Sequence, residues 1–134
     1  MRWVVSCLIG AALTSVSASA HHSIASAYDE SKRVNLDGII RQFQFVNPHP
    51  FLVVEVKDNA GAMQLWQLEM DNRGELVDVG MTSATFKPGD RVVVAGSPSR
   101  GQPRALYIRS LERPADGFLY EQVGFSPRIR VRGR

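Results

Sequence analysis

Residues 34–50 read VNLDGIIRQFQFV followed by Asn47-Pro48-His49-Pro50, and this stretch decides the fold. Residues 34–46 are rich in β-branched and aromatic side chains, which favours a strand. At period two, Val34, Leu36 and Ile40 share one face, while Ile39, Phe43 and Phe45 share the other. A strand that is apolar on both faces, with Gly38 in its middle, is expected to bend sharply so that its two halves meet the core differently. Pro48 and Pro50 then end it, because each lacks a backbone donor and restrains the residue before it.

Working outward, residues 51–57 form a second expected strand, with Leu52, Val54 and Val56 on one face. Asp58-Asn59-Ala60-Gly61 supplies a hairpin turn. Residues 63–70 form a third strand, placing Trp66, Leu68 and Met70 together and Gln67 and Glu69 opposite. Residues 71–80 are polar and suit a short helix capped by Asp71 or Asn72 and stopped by Gly80. Lys87-Pro88-Gly89-Asp90 is a turn, followed by strands at 91–95 and 105–111. Three strands, a short helix and two strands, led by a long bent strand, give the expected fold: an all-β, OB-like five-stranded barrel. A β-sandwich would need more strands. The barrel is assigned to residues 34–112. Residues 113–134 read as a loose basic tail, with Phe118, Leu119 and Tyr120 available to pack back.

The N-terminus carries a different message. Residues 1–20, MRWVVSCLIGAALTSVSASA, have a basic start, a short apolar run and a small-x-small ending at Ala18-Ser19-Ala20. The apolar run is too short for a permanent span. The segment is expected to be a cleaved secretory signal, which places the protein in the periplasm or outside the cell. Cleavage removes Arg2 and Cys7, the single cysteine, so no disulfide or thiolate metal site remains. Residues 21–33 become an N-terminal arm. Four arginines, at 128, 130, 132 and 134, lie in the last seven residues. Outside that end, the 13 acidic residues outnumber the 11 remaining basic ones, which argues against a nucleic-acid partner.

The three histidines, His21, His22 and His49, all lie beyond the signal. Cleavage after Ala20 makes His21 the terminal residue, whose α-amine and imidazole chelate a metal together. His49 or His22 would add a third nitrogen, a T-shaped set suited to Cu(II). Cleavage after Ala18 instead leaves Ser19-Ala20-His21, whose amine, two amides and imidazole form a square-planar site for Cu(II) or Ni(II). Copper is the expected metal and zinc the lesser alternative, with Glu69 or Asp29 as an added oxygen ligand. The bland reading is that His21 and His22 begin a mobile arm and that His49 is a turn residue. Met63, Met70 and Met81 read as core rather than as a thioether site.

His21-His22-Ser23 after a signal, Tyr28-Asp29, Phe45-Val46-Asn47-Pro48-His49, Trp66 with Glu69, Gly80-Met81-Thr82 and Phe86-Lys87-Pro88-Gly89-Asp90 resemble a family of small exported bacterial proteins known only as a domain of unknown function. The resemblance spans about residues 20–112 and implies a periplasmic OB-like domain without an assigned activity. Met81 stands where relatives are expected to carry Trp, and the Arg-rich end lies outside the pattern. A terminal histidine is also similar to the copper sites of lytic polysaccharide monooxygenases and periplasmic copper carriers, at one residue and on other folds.

The expected function is therefore a periplasmic β-barrel protein that binds copper through its mature N-terminal histidine, as carrier, buffer or sensor. The alternative is a metal-free OB-type module for a glycan, peptide or periplasmic protein, using Phe51, Val53 and Glu55 opposite the Leu52 face. An enzyme is not expected: there is no nucleophile elbow and no Gly-rich phosphate loop. No stable membrane span is expected after signal cleavage.

Overall fold

The computed structural model describes residues 24–133. Seven strands, β1 (Val34–Gln44), β2 (Phe51–Lys57), β3 (Met63–Glu69), β4 (Arg91–Pro98), β5 (Ala105–Arg113), β6 (Phe118–Val123) and β7 (Ser126–Val131), and one helix, α1 (Arg73–Asp78), follow the arm. The sheet order is β3-β2-β1-β4-β5-β6-β7, and a further β3–β5 pairing closes the first five strands into a barrel. The closing pair is parallel, matching Gln67–Glu69 with Ala105–Tyr107. With α1 between β3 and β4, this is the OB topology.

β1 serves two ladders. Its first half pairs with β4 and its second with β2, and Gly38 belongs to both, opposite Val92 and Val56. A Cβ at Gly38 would lie 2.4 Å from the Glu55 carbonyl oxygen, so the close approach requires glycine. The phase change comes after Gly38. The register with β2 slips between Ile40 and Gln42, leaving an extra residue at Arg41. One inserted residue turns each later side chain to the other face. Leu36 and Ile40 therefore face the core before the bulge, and Phe43 and Phe45 pack against it afterwards. Phe43 and Phe45 thus continue the Leu36–Ile40 stripe through a phase shift, whereas Ile39, ahead of the bulge, stays on the opposite face outside the core cluster.

The core gathers Leu52, Val54, Leu68, Val92, Val94, Leu106 and Ile108. Under it, Phe86 stands edge-on to both Phe43 and Phe118, with ring centroids 5.2 and 5.3 Å apart. The Asn72 side chain caps α1 by accepting from the Gly74 amide at 2.8 Å. Gly80 follows with φ of 95°, which suits a helix stop. Met70 and Met81 are core residues as expected, but Met63, at 53% exposure, is not. It sits at the exposed start of β3, past the reach of the core.

The expectation of a loose tail at 113–134 is corrected. Residues 118–131 form a hairpin that extends the sheet beyond β5. Gly124-Phe125 makes its two-residue turn, with Gly124 at φ 65°. Phe118 and Tyr120 are buried, and Ile129 packs on the core. Arg113 fastens the base of the hairpin. Its guanidinium lies over Phe118 at 5.1 Å and donates to Asp90 and Asp116 at 2.9 and 2.8 Å. Arginine content suggested a solvated tail, yet Arg128, Arg130 and Arg132 alternate with Ile129 and Val131, which is strand patterning.

Gly96 tests this packing. Its missing Cβ would stand 2.5 Å from the Tyr107 carbonyl oxygen and 2.4 Å from Leu106 Cδ1, whereas one at Gly101 would meet nothing within 4 Å. Gly96→Ala is expected to cost about 2 kcal/mol, on the order of 10 °C in Tm, with Gly101→Ala near neutral. Thermal melts that show equal effects for both would contradict the close approach of β4 to β5.

Candidate functional site

The seam between β3 and β5 brings together three segments distant in sequence: the arm, the turn before β2 and the loop after β4. The Asn47–Pro50 turn is pinned from both sides. The Met70 amide donates to the Pro50 carbonyl, and the Arg73 amide to the Pro48 carbonyl, both at 2.9 Å. Arg73 also stacks over the Phe45 ring at 4.9 Å and donates to the Phe45 carbonyl.

His49 is held within this frame, with 17% of its side chain exposed. Its Nδ1 lies 2.8 Å from the Met70 carbonyl oxygen. A carbonyl only accepts, so Nδ1 carries the proton, and a neutral ring keeps its lone pair on Nε2. Oε1 of Glu69 stands 3.7 Å from the same Nδ1. The other Glu69 oxygen accepts a short hydrogen bond from the Tyr28 hydroxyl.

Tyr28 fixes the arm. Residues 24–27 make one helical turn, closed by the Tyr28 amide on the Ile24 carbonyl at 2.9 Å. Tyr28 then bridges to Ser99. The Asp29 amide donates to the Pro98 carbonyl and the Arg100 amide to the Ala27 carbonyl, each at 2.8 Å. Tyr28, Gln67, Glu69, Arg100 and Gln102 line an open groove of about 540 Å³ between the arm and the loop after β4.

Behind the groove, the Tyr28 ring lies 5.6 Å from that of Tyr107. Tyr107 begins a buried cluster on Asp71, which is only 4% exposed. The hydroxyls of Tyr107 and Tyr120 and the amide nitrogen of Gln122 all donate to this carboxylate. Arg109 closes the cluster, lying 5.0 Å over the Tyr107 ring and donating to Gln122 Oε1 at 2.5 Å. Both β6 partners come from the hairpin, so the expected tail contributes to the support of the site.

The sequence-derived candidates separate on this geometry. His49 and Glu69 are neighbours. His21 and His22 lie outside the described residues. Asp29 commits its carboxylate elsewhere: Ser31 donates to it, and Lys32 and Arg100 lie at 3.3 and 3.8 Å. Hydrogen bonding from Ser31 comes first in holding the Asp29 carboxyl below its ordinary pKa. Among the described residues, no group of three or more His, Cys, Asp or Glu side chains is placed to hold a metal. Phe51, Val53 and Glu55 are each half-buried, and Glu55 pairs with Arg41 at 2.5 Å. Val53 borders a second groove of about 250 Å³ with Leu65, Gln67, Gln102 and Arg104.

The sequence reading missed the roles of Tyr28, Tyr107, Tyr120 and Gln122, and treated Asp71 only as a helix cap. The available signal was that an acid stood directly before a second residue able to cap, Asn72, and was thus free to turn inward.

Residues 10–107 match a family of unknown function, DUF6152. The chain belongs to this family. No curated protein matches it. Among solved structures, the DUF6152 chain is similar to the dimeric N-terminal domain of the PriB protein from Thermoanaerobacter tencongensis. The identity is 18% and the TM-score 0.40, over 62% of this chain and 96% of that one.

All three tyrosines of the chain lie in this region. Burial, followed by the hydrogen bond to Glu69 and its charge, raises the Tyr28 pKa. Burial, followed by the charge of Asp71, raises those of Tyr107 and Tyr120. The unfolded tyrosines ionise near 10 and the folded ones above it, so the folded state retains protons that the unfolded state loses. The stability from these hydroxyls is complete below pH about 10 and is lost as pH rises further. Ultraviolet titration of the folded chain is expected to show no phenolate near pH 10, with denaturant stability falling above it. A tyrosine that ionises at its ordinary value in the folded chain would contradict its carboxylate partnership.

Proposed function

We propose that this exported DUF6152 protein binds copper through the α-amine and imidazole of a mature N-terminal His21, with His49 as the third nitrogen. It acts in the periplasm as a carrier, buffer or sensor rather than as an enzyme. The observation that carries the reading is the orientation of His49. A metal-ligating imidazole usually donates its other nitrogen to a carbonyl or carboxylate, which fixes the tautomer and aims the ring. His49 has this arrangement through Nδ1 on the Met70 carbonyl, beside Glu69.

The arm supports it further. Tyr28 joins the arm to the carboxylate beside His49. His21 stands three residues before Ile24, which gives a chain reach of about 10 Å from the first helical turn. Three nitrogens in a T-shape suit Cu(II), with zinc the lesser alternative. Glu69, which lies beside Nδ1, would keep the imidazole oriented.

The test is Cu(II) titration with electron paramagnetic resonance on mature protein whose first residue is His21. An added Ala before His21 is expected to weaken binding at least about tenfold, and His49→Ala to lower affinity while leaving two-nitrogen binding. Affinity should fall as pH drops below about 6, because the amine and imidazoles must release protons. Equal, weak binding by all three proteins would overturn the proposal.

The groove between the arm and the Ser99–Gln102 loop favours a second reading, a metal-free module. It lies on the side of the barrel where OB folds take ligands, and Gln67, Arg100 and Gln102 offer it hydrogen bonds. Its ligand would be a glycan, a peptide or a partner protein. Binding that survives chelation would mark this class.

A further inference from the structure

The outer face of the hairpin takes no part in the copper reading. Arg128, Arg130 and Arg132 occupy alternate positions on β7, the edge strand, and all are exposed. Period two sets them on one face, opposite Pro127 and Ile129, which turn inward. Nη2 of Arg130 donates to both carboxylate oxygens of Glu121 on β6, at 2.8 and 2.7 Å. Arg128 and Arg132 have no ion pair among the described residues. Glu112 and Glu121 are the acids on this face, and β7 itself has none.

At the end of the same hairpin, the turn residue Phe125 is 76% exposed and its neighbour Val123 45% exposed. The two-residue turn thus exposes an aromatic ring at one end of the strand that carries the arginines. An acidic peptide would need a receptor groove. The cavity on this face, lined by Glu112, Leu119, Arg130 and Arg132, holds only about 150 Å³, below the usual range for ligand pockets. A headgroup layer needs no cavity: phosphates meet arginines and an aromatic ring enters the interface.

We infer that the β6–β7 hairpin docks the protein on an anionic lipid surface, with Phe125 entering the interface and Arg128, Arg130 and Arg132 meeting lipid phosphates. Charge complementarity sets the orientation. Outside residues 128–134, acidic residues outnumber basic ones, so an anionic surface attracts this end and repels the rest. The inference is independent of metal binding.

The test is co-sedimentation of the mature chain with vesicles of equal parts phosphatidylcholine and phosphatidylglycerol, against vesicles of phosphatidylcholine alone. Binding is expected only with phosphatidylglycerol and should weaken as salt rises. Arg128→Glu with Arg132→Glu should reduce partitioning by about tenfold or more. Phe125→Ser should reduce it several-fold, and in a parallel Phe125→Trp variant the tryptophan emission should shift to the blue when phosphatidylglycerol vesicles are added. Unchanged thermal melts would show that the variants fold. Absence of binding, equal binding to both vesicles, or full binding by the double variant would overturn the inference. In that case the arginines serve to keep the edge strand from pairing with another chain. Capture by polyglutamate without capture by vesicles would likewise assign the face to an acidic protein.

Discussion

Closure of the barrel at the β3–β5 seam is the constraint on which the rest depends. Three residue pairs, Gln67 with Ala105 through Glu69 with Tyr107, join strands that α1 and β4 separate in sequence. A parallel pairing this short needs side chains to hold it. Two carboxylates do so, Glu69 at the end of β3 and Asp71 just after it. Glu69 faces outward and takes the Tyr28 hydroxyl, while Asp71 turns inward and takes those of Tyr107 and Tyr120. The Tyr28 and Tyr107 rings meet at 5.6 Å and connect the two systems. The exposed site and the buried support are thus continuous.

A carboxylate at 4% exposure is costly unless its oxygens are occupied. Asp71 meets that demand with donors from β5 and β6, which recruits the C-terminal hairpin into the domain. The hairpin adds apolar burial through Phe118 and Tyr120, and Arg113 seals it against Phe86. Satisfied networks of this kind favour one arrangement over its neighbours, since a half-satisfied alternative leaves buried donors unpaired. The position of His49 inherits that definition, because Met70, whose carbonyl orients the ring, directly precedes Asp71.

Much of the barrel was legible in the sequence because local signals agreed. The Leu52-Val54-Val56 alternation, the Asp58–Gly61 turn, the Asn72 cap and the Lys87–Asp90 turn each act over a few residues. The bulge at Arg41 was hidden, since nothing in Ile39-Ile40-Arg41-Gln42 marks an inserted residue. The bend was therefore placed at Gly38, where both ladders meet. The hairpin was obscured by its charge, although Phe118 with Tyr120 and the Arg-Ile-Arg-Val alternation carried strand spacing. The site was legible only in part. His49 stood out between two prolines, but its partner carbonyl at Met70 is 21 residues away, and the tie from Tyr28 to Glu69 spans 41. Such contacts arise from topology and leave no local mark.

The functional account follows from an imidazole prepared by its neighbours. Nδ1 meets the Met70 carbonyl, and Tyr28 ties the described part of the arm to the carboxylate beside the ring. The most direct test is a long-range nitrogen–proton correlation spectrum of the His49 ring at neutral pH, recorded before and after substoichiometric Cu(II). The account predicts a protonated Nδ1 and a bare Nε2 in the metal-free protein, with the His49 signals bleached first as copper is added. A ring protonated on Nε2, with signals indifferent to copper, would contradict it.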